Sequence, residues 1–121
     1  MCGIGPFVPH KDTKFKNENH GDVSLVLMLL SIIRLLKPNI LLPATTALGT
    51  VDPLGREKGI LHGANVVMPN LSPVKHRKDY SLYDNKICTG DEAAQCIGCL
   101  ADRMKKIGCE IVTDRGDYTE E

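Results

Sequence analysis

The sequence predicts a parallel α/β architecture, and three observations point to it. Strand-like and helix-like segments alternate at close intervals along the chain. One strand-like segment, residues 39–49, is a compact apolar run of the kind buried on both faces of a parallel sheet, and residues 65–70 supply another short strand. The composition supplies a matching core: 42% of the 121 residues are hydrophobic, only 4% are aromatic and there is no Trp. The interior is therefore built from Leu, Ile, Val, Ala and Met, and the length suits one globular domain of modest core. Fifteen basic residues balance 15 acidic ones, so nothing in the charge points to a nucleic acid or a membrane surface as partner.

Taken in order, Met1 to Phe7 is a short apolar segment that breaks at Gly5-Pro6, and a polar loop runs from His10 to Asp22. Asp22 stands as an N-cap and Lys37-Pro38 as a stop, which predicts a helix over 23–37. Ser24, Ser31 and Arg34 fall on one stripe of that helix, the only face expected to meet water. Its apolar run, Leu25 to Leu36, is shorter than the roughly 18 residues of a membrane span. The N-terminal stretch lacks the basic and apolar regions of a secretory signal. We therefore expect a cytoplasmic chain with reduced thiols.

The run "NILLPATTALG", residues 39–49, reads as a buried strand, although Pro43 argues against a regular central ladder because it donates no hydrogen bond. Pro53 and Gly63 bracket a short helix over about residues 54–62, and "NVVMPN" supplies another strand. From Leu71 the chain turns polar and basic, with room for one or two helical turns. Asp91 is placed to cap a last helix, Glu92 to Ile107, which ends at Gly108 before a charged tail. Only about three parallel strands emerge, and they leave long unpaired edges, so the sequence reads like a slice of something larger.

The most specific chemical signal is the run "KICTGDEAAQCIGCL", in which Cys88, Cys96 and Cys99 are spaced C-x7-C-x2-C. A thioredoxin-type redox pair is one reading, but its motif follows a strand and opens a helix, whereas Cys96 and Cys99 fall inside or at the edge of one. Three ordinary buried thiols are another reading, since free Cys behaves as a small hydrophobe. Three clustered thiolates favour a soft metal, either Zn or an iron–sulfur cluster. A Zn site needs a fourth ligand, for which Cys109, His76 or an outside group are the candidates, so iron–sulfur is the better fit.

The remaining signals are weaker. "CGIGPF" falls one glycine short of a dinucleotide fingerprint and carries a disruptive Pro6. His10, His20, His62 and His76 share no metal spacing and read as surface or cap residues. Tyr80 and Tyr83, three apart, are expected on one face of a helical turn. Thr45 and Thr46 end a predicted parallel strand, where hydroxyls are candidates to bind an anion or carboxylate.

Several strings then converge. "MCGIGPFVPHKDT", "LLPATTALGTVDPLGREKGILHGANVVMPNLSP", "YSLYDNKIC" and the C-x7-C-x2-C run, in collinear order from Met1 to about Gly108, closely resemble the C-terminal part of the HydE-type maturases of FeFe hydrogenase. That family comprises radical S-adenosylmethionine enzymes related to biotin synthase and methylornithine synthase. The resemblance implies the C-terminal portion of a (β/α)8 TIM barrel, about three strand-helix units over residues 1–70, and a cap over 71–121 of the biotin and thiamin synthesis associated type.

It further implies a reaction in which a 4Fe–4S cluster, bound by C-x3-C-x2-C, cleaves S-adenosylmethionine to a 5′-deoxyadenosyl radical that attacks an organometallic or sulfur-bearing substrate. No C-x3-C-x2-C spacing occurs in this chain, so the isolated chain is expected to be inactive. By the same resemblance, Cys88, Cys96 and Cys99 match an accessory iron–sulfur site, 4Fe–4S or 2Fe–2S. Thr45, Thr46, Tyr80 and Tyr83 match substrate-binding positions, and Met1 and Met68 match cofactor-binding positions at the barrel mouth. The implied partners are the missing N-terminal half-barrel, the small-molecule substrate and other hydrogenase maturases. The competing expectations are a stand-alone iron–sulfur or Zn module and a biotin synthase-like or methylornithine synthase-like enzyme.

Overall fold

The computed structural model describes residues 1–87 and 93–117. The expected cap Asp91, the expected first helical residue Glu92 and the candidate ligand Cys88 lie outside them. Helix α1 spans Val23–Leu36, strand β1 Pro43–Ala44, helix α2 Thr46–Val51, helix α3 Gly55–Leu61, strand β2 Val66–Val67 and helix α4 Ala93–Lys106, with a 3-10 helix over Val74–Tyr80. The two strands pair in parallel, Pro43 opposite Val66 and Ala44 opposite Val67. A parallel pair needs a crossover between its strands, and α2 and α3 provide it.

The core lies between α1 and this small sheet. Val26, Leu27 and Leu30 of α1 pack with Leu42, Ala44, Leu48 and Ala64. Residues 1–7 form no regular strand, contrary to expectation. The Cys2 N–H nevertheless donates to the Leu41 carbonyl at 2.8 Å, and Cys2 and Ile4 pack on the core. This segment therefore lies along β1 as a third, irregular line of chain. The expected strand over 39–49 is likewise shorter than predicted. Pro43 offers no N–H to a ladder, and Thr45 ends the extended stretch by capping α2, accepting from the Leu48 N–H at 3.2 Å.

Helix α1 begins where Asp22 predicts, its carboxylate accepting from Ser24 N at 2.8 Å. Its orientation differs from the expectation. The Ser31 hydroxyl donates to the His62 carbonyl at 3.1 Å, and Arg34 Nε to the Gly63 carbonyl at 2.8 Å. Ser31 and Arg34 thus face inward and satisfy carbonyls at the end of α3, a favourable place for a cation, while Ser24 alone of the stripe is exposed. Leu25, Met28, Ile32, Leu35 and Leu36 are exposed instead. Gly63 takes φ +106, and a Cβ there would lie 2.7 Å from Arg34 Cβ, so this tight junction needs glycine. Among the described residues, no helix is long and apolar enough to cross a membrane.

Candidate functional site: a strand-end cleft and a cysteine helix

Both strands run out into the same cleft. Thr46, one residue beyond the β1 cap, and Met68 and Pro69, which follow β2, line a cavity of about 210 Å³ together with Arg56, Asn70, Lys86 and Ile87. The Thr50 hydroxyl of α2 donates to the Thr46 carbonyl at 3.0 Å and accepts from the Ile87 N–H at 3.4 Å, which brings the 86–87 segment over the strand ends. Gly49 opens the slot in which Arg56 lies, since a Cβ there would stand 3.1 Å from Arg56 Nε and 3.0 Å from Ile87 Cδ1. Two cations, a hydroxyl, an amide and a thioether therefore share one hollow, and among the described residues no carboxylate lines it. Such a lining suits an anionic or soft-atom ligand.

The structure brings Thr46 and Met68 together and distributes the other candidates around them. The Thr45 hydroxyl is engaged as the α2 cap and sits above Gly5, where a Cβ would lie 2.7 Å from its oxygen. Met1 is exposed on the irregular segment beside β1. Tyr80 ends the 3-10 helix and lines a separate open hollow of about 630 Å³ with Ser72, Pro73, His76 and Asp79. The helix stops at Tyr80, with Ser81 at φ −78 and ψ 78, so Tyr83 lies beyond it and the two phenols do not share a helical face as expected. Lys86 Nζ donates to the Tyr80 carbonyl at 3.1 Å and joins the two hollows.

Sequence reasoning missed Arg56, Asn70 and Lys86. Asn70 follows the β2 end by three residues and could have been found there, whereas Arg56 of α3 and Lys86 carry no local signal. It also missed Arg77. This buried arginine donates from Nε to the Ser72 carbonyl at 2.8 Å and from a terminal nitrogen to the Asn70 carbonyl at 3.1 Å, folding the loop after β2 back on itself.

The cysteine helix is a distinct unit. Cys96, Leu100 and Met104, four apart, form the buried stripe of α4, and Cys99 is exposed. Gly108, at φ +77, ends the helix with the Gly108 N–H on the Lys105 carbonyl and the Cys109 N–H on the Met104 carbonyl. Cys109 thus stands at the far end of α4 from Cys96, and His76 lies in the 3-10 helix beside Asp79. Among the described residues no three metal-ligating side chains come together, and the third thiol of the run, Cys88, lies outside them. Of the expected ligands, two thiols lie on α4 at i and i+3, one buried and one open.

Helix α4 is fixed to α3 by a forked ion pair. Arg103 Nε lies 2.5 Å from Glu57 Oε1 and its terminal nitrogen 2.6 Å from Oε2, while that nitrogen also donates to the Pro53 carbonyl. Burial pushes the Glu57 carboxyl up, but the hydrogen bonds from Arg103 and from its own backbone N–H, with the positive charge of Arg103 and Arg56, outweigh it and hold the group below the ordinary carboxylate range.

Together these features define a parallel α/β unit with a cleft at its strand ends and a thiol-bearing helix. No protein-family model matches the chain. It is similar to the FeFe hydrogenase maturase subunit HydE of Thermotoga maritima, with 45% identity over 116 residues, 96% of this chain. The likeness is to the C-terminal part of that relative. It spans 33% of the length of that relative.

Proposed function

We propose that this chain is the C-terminal segment of a HydE-type radical S-adenosylmethionine maturase, in which it supplies walls of the substrate pocket and an accessory iron–sulfur site. The reading rests on the 45% identity that runs through 96% of the chain. The parallel strand pair and the cleft at its ends support a position at the mouth of a (β/α)8 barrel that the rest of the protein completes. The chain has no C-x3-C-x2-C run, so the radical-generating cluster belongs to that remainder, where it supplies reductive cleavage of S-adenosylmethionine. Residues 1–70 form the barrel part and 71–121 the cap.

Within this chain the work is binding and orientation. Thr46 and Asn70 offer directional polar groups to the anionic portion of a substrate, with Arg56 and Lys86 setting the sign of the field. Met68 lays a polarizable thioether against a sulfur-rich ligand or the cofactor, with Met1 at the same mouth. Thr45 holds the strand-end turn on which Thr46 stands, and the Tyr80 and Tyr83 phenols close the substrate side. Cys88, Cys96 and Cys99 hold the accessory cluster, two of them carried on α4. Hydrogenase maturation in the cytoplasm, with other maturases as partners, follows from the same reading.

The test is an anaerobic assay for 5′-deoxyadenosine after reconstitution with iron and sulfide. The isolated chain should give no product above a no-protein control, and the full-length protein should. In the latter, Thr46→Val should raise KM about tenfold, the scale of one lost hydrogen bond to a charged group. Product from the isolated chain, or a Thr46→Val enzyme indistinguishable from wild type, would overturn the assignment.

A further inference from the structure

We infer that Arg103 is a positioning residue for the cysteine pair of α4, and that Glu57 of α3 is the anchor through which it acts. The inference rests on reading Cys96 and Cys99 as metal ligands, and it adds how the chain holds them ready before any metal arrives.

The apolar stripe of α4 determines which side of the helix looks inward. It does little to set how far the helix is displaced along its own axis, because Cys96, Leu100 and Met104 repeat every turn and a shift of one turn replaces one apolar contact with another. A forked ion pair has no such tolerance. Two guanidinium nitrogens meet two carboxylate oxygens at 2.5 and 2.6 Å, and the same group reaches the Pro53 carbonyl before α3. One turn of slip, about 5.4 Å, breaks all three bonds.

Arg103 also lies where such a constraint is most useful. It follows Cys99 by four residues and Cys96 by seven, which puts it one and two turns along nearly the same side of the helix. The Glu57 residue is only 7% exposed. Losing Arg103 therefore leaves a carboxylate with little water to replace it, and the register it enforces is backed by that cost. The consequence is a fixed pattern of thiol access, with Cys96 only 3% exposed and Cys99 open.

Register of the cysteines is read by thiol labelling in the iron-free, reduced 121-residue chain, with a maleimide and per-cysteine mass spectrometry. In the wild type Cys99 should label fast and Cys96 slowly. Arg103→Met, Arg103→Lys and Glu57→Gln should each raise the Cys96 rate about tenfold or more, the scale of a lost partly buried ion pair. The rate at Cys2, which packs on the main core, should stay constant, as should the helical circular dichroism. Arg103→Lys keeps the charge and loses the fork, so it reports the geometry even where Arg103→Met unfolds. An unchanged Cys96 rate in Arg103→Lys and Glu57→Gln, or a parallel rise at Cys2, would overturn the inference. A Co²⁺ titration of the same proteins separates the two layers: thiolate-to-cobalt absorbance should appear in the wild type and weaken about tenfold in affinity in Arg103→Met. Absence of that absorbance in the wild type would strike the metal reading itself, and labelling unchanged by the Arg103 variants would strike the positioning role.

Discussion

Gly55 shows how closely this chain is folded onto itself. A Cβ at that position would stand 2.2 Å from the Leu48 carbonyl oxygen, a contact with backbone that no rotamer change relieves. Gly55→Ala should therefore destabilise the chain by on the order of 3 kcal/mol, read as a lowered midpoint in thermal denaturation. Glu57 gives the second expectation. Its carboxyl is held below the ordinary value of about 4.3, so its contribution to stability is fully present above that value and is lost as the pH falls through the folded one. The Glu57→Gln variant should lack that part of the acid transition, with the difference from wild type largest at neutral pH and shrinking as both are acidified. The thiols give the third. Cys88→Ser should abolish the charge-transfer absorbance of the reconstituted protein, and Cys109→Ser should leave it. The α4 helix rises roughly 1.5 Å per residue and puts Cys109 beyond its far end. Loss of absorbance in both variants, or in neither, would count against the assignment.

Helix α1 shows what could and could not be read at the level of elements. Its limits were legible because they depend on local chemistry: Asp22 caps, and Pro38 forbids continuation. Its orientation was not, because a serine and an arginine on an apolar helix look like a solvent stripe until one knows that Ser31 and Arg34 meet the carbonyls of His62 and Gly63. The strand over 39–49 was overextended for a related reason. Thr45 and Thr46 have strand propensity, yet Thr45 spends its hydroxyl on the Leu48 N–H and starts a helix. Cys96 and Cys99 were expected inside or at the edge of a helix and lie inside α4, whereas Arg103 and Glu57 are 46 residues apart, and no periodicity joins them. The inward face of α1 predicts a contrast. Leu30→Ala, at a fully buried site, should cost about 2–5 kcal/mol. Leu35→Glu, at a site 81% exposed, should leave the denaturation midpoint within about 0.5 kcal/mol and reduce any self-association.

At the scale of the whole molecule, the expectation of a slice from a larger α/β protein agrees with a chain that spans 33% of its relative. The alternation of segments made the parallel pairing legible, and of the residues singled out in the sequence Thr46 and Met68 line the cleft at the strand ends. Arg56, Asn70 and Lys86 reach it through long-range packing that a linear reading does not contain. The exposed leucines of α1 and the irregular segment beside β1 lead us to expect that the isolated chain self-associates, or gains stability from the remainder of the protein. Analytical ultracentrifugation showing a compact, stable monomer would count against this. The way β1 meets β2 has a further consequence. The Leu42 carbonyl accepts from both the Asn65 and Val66 N–H groups, and the Leu42 N–H donates to the Asn65 side chain at 2.8 Å rather than to another backbone. The amide whose exchange with deuterium reports the junction of the two strands is thus guarded by a single side chain. Replacing Asn65 by Ala should speed exchange at Leu42 while the amides inside α1 keep their protection, so the sheet would come apart ahead of the helix that covers it.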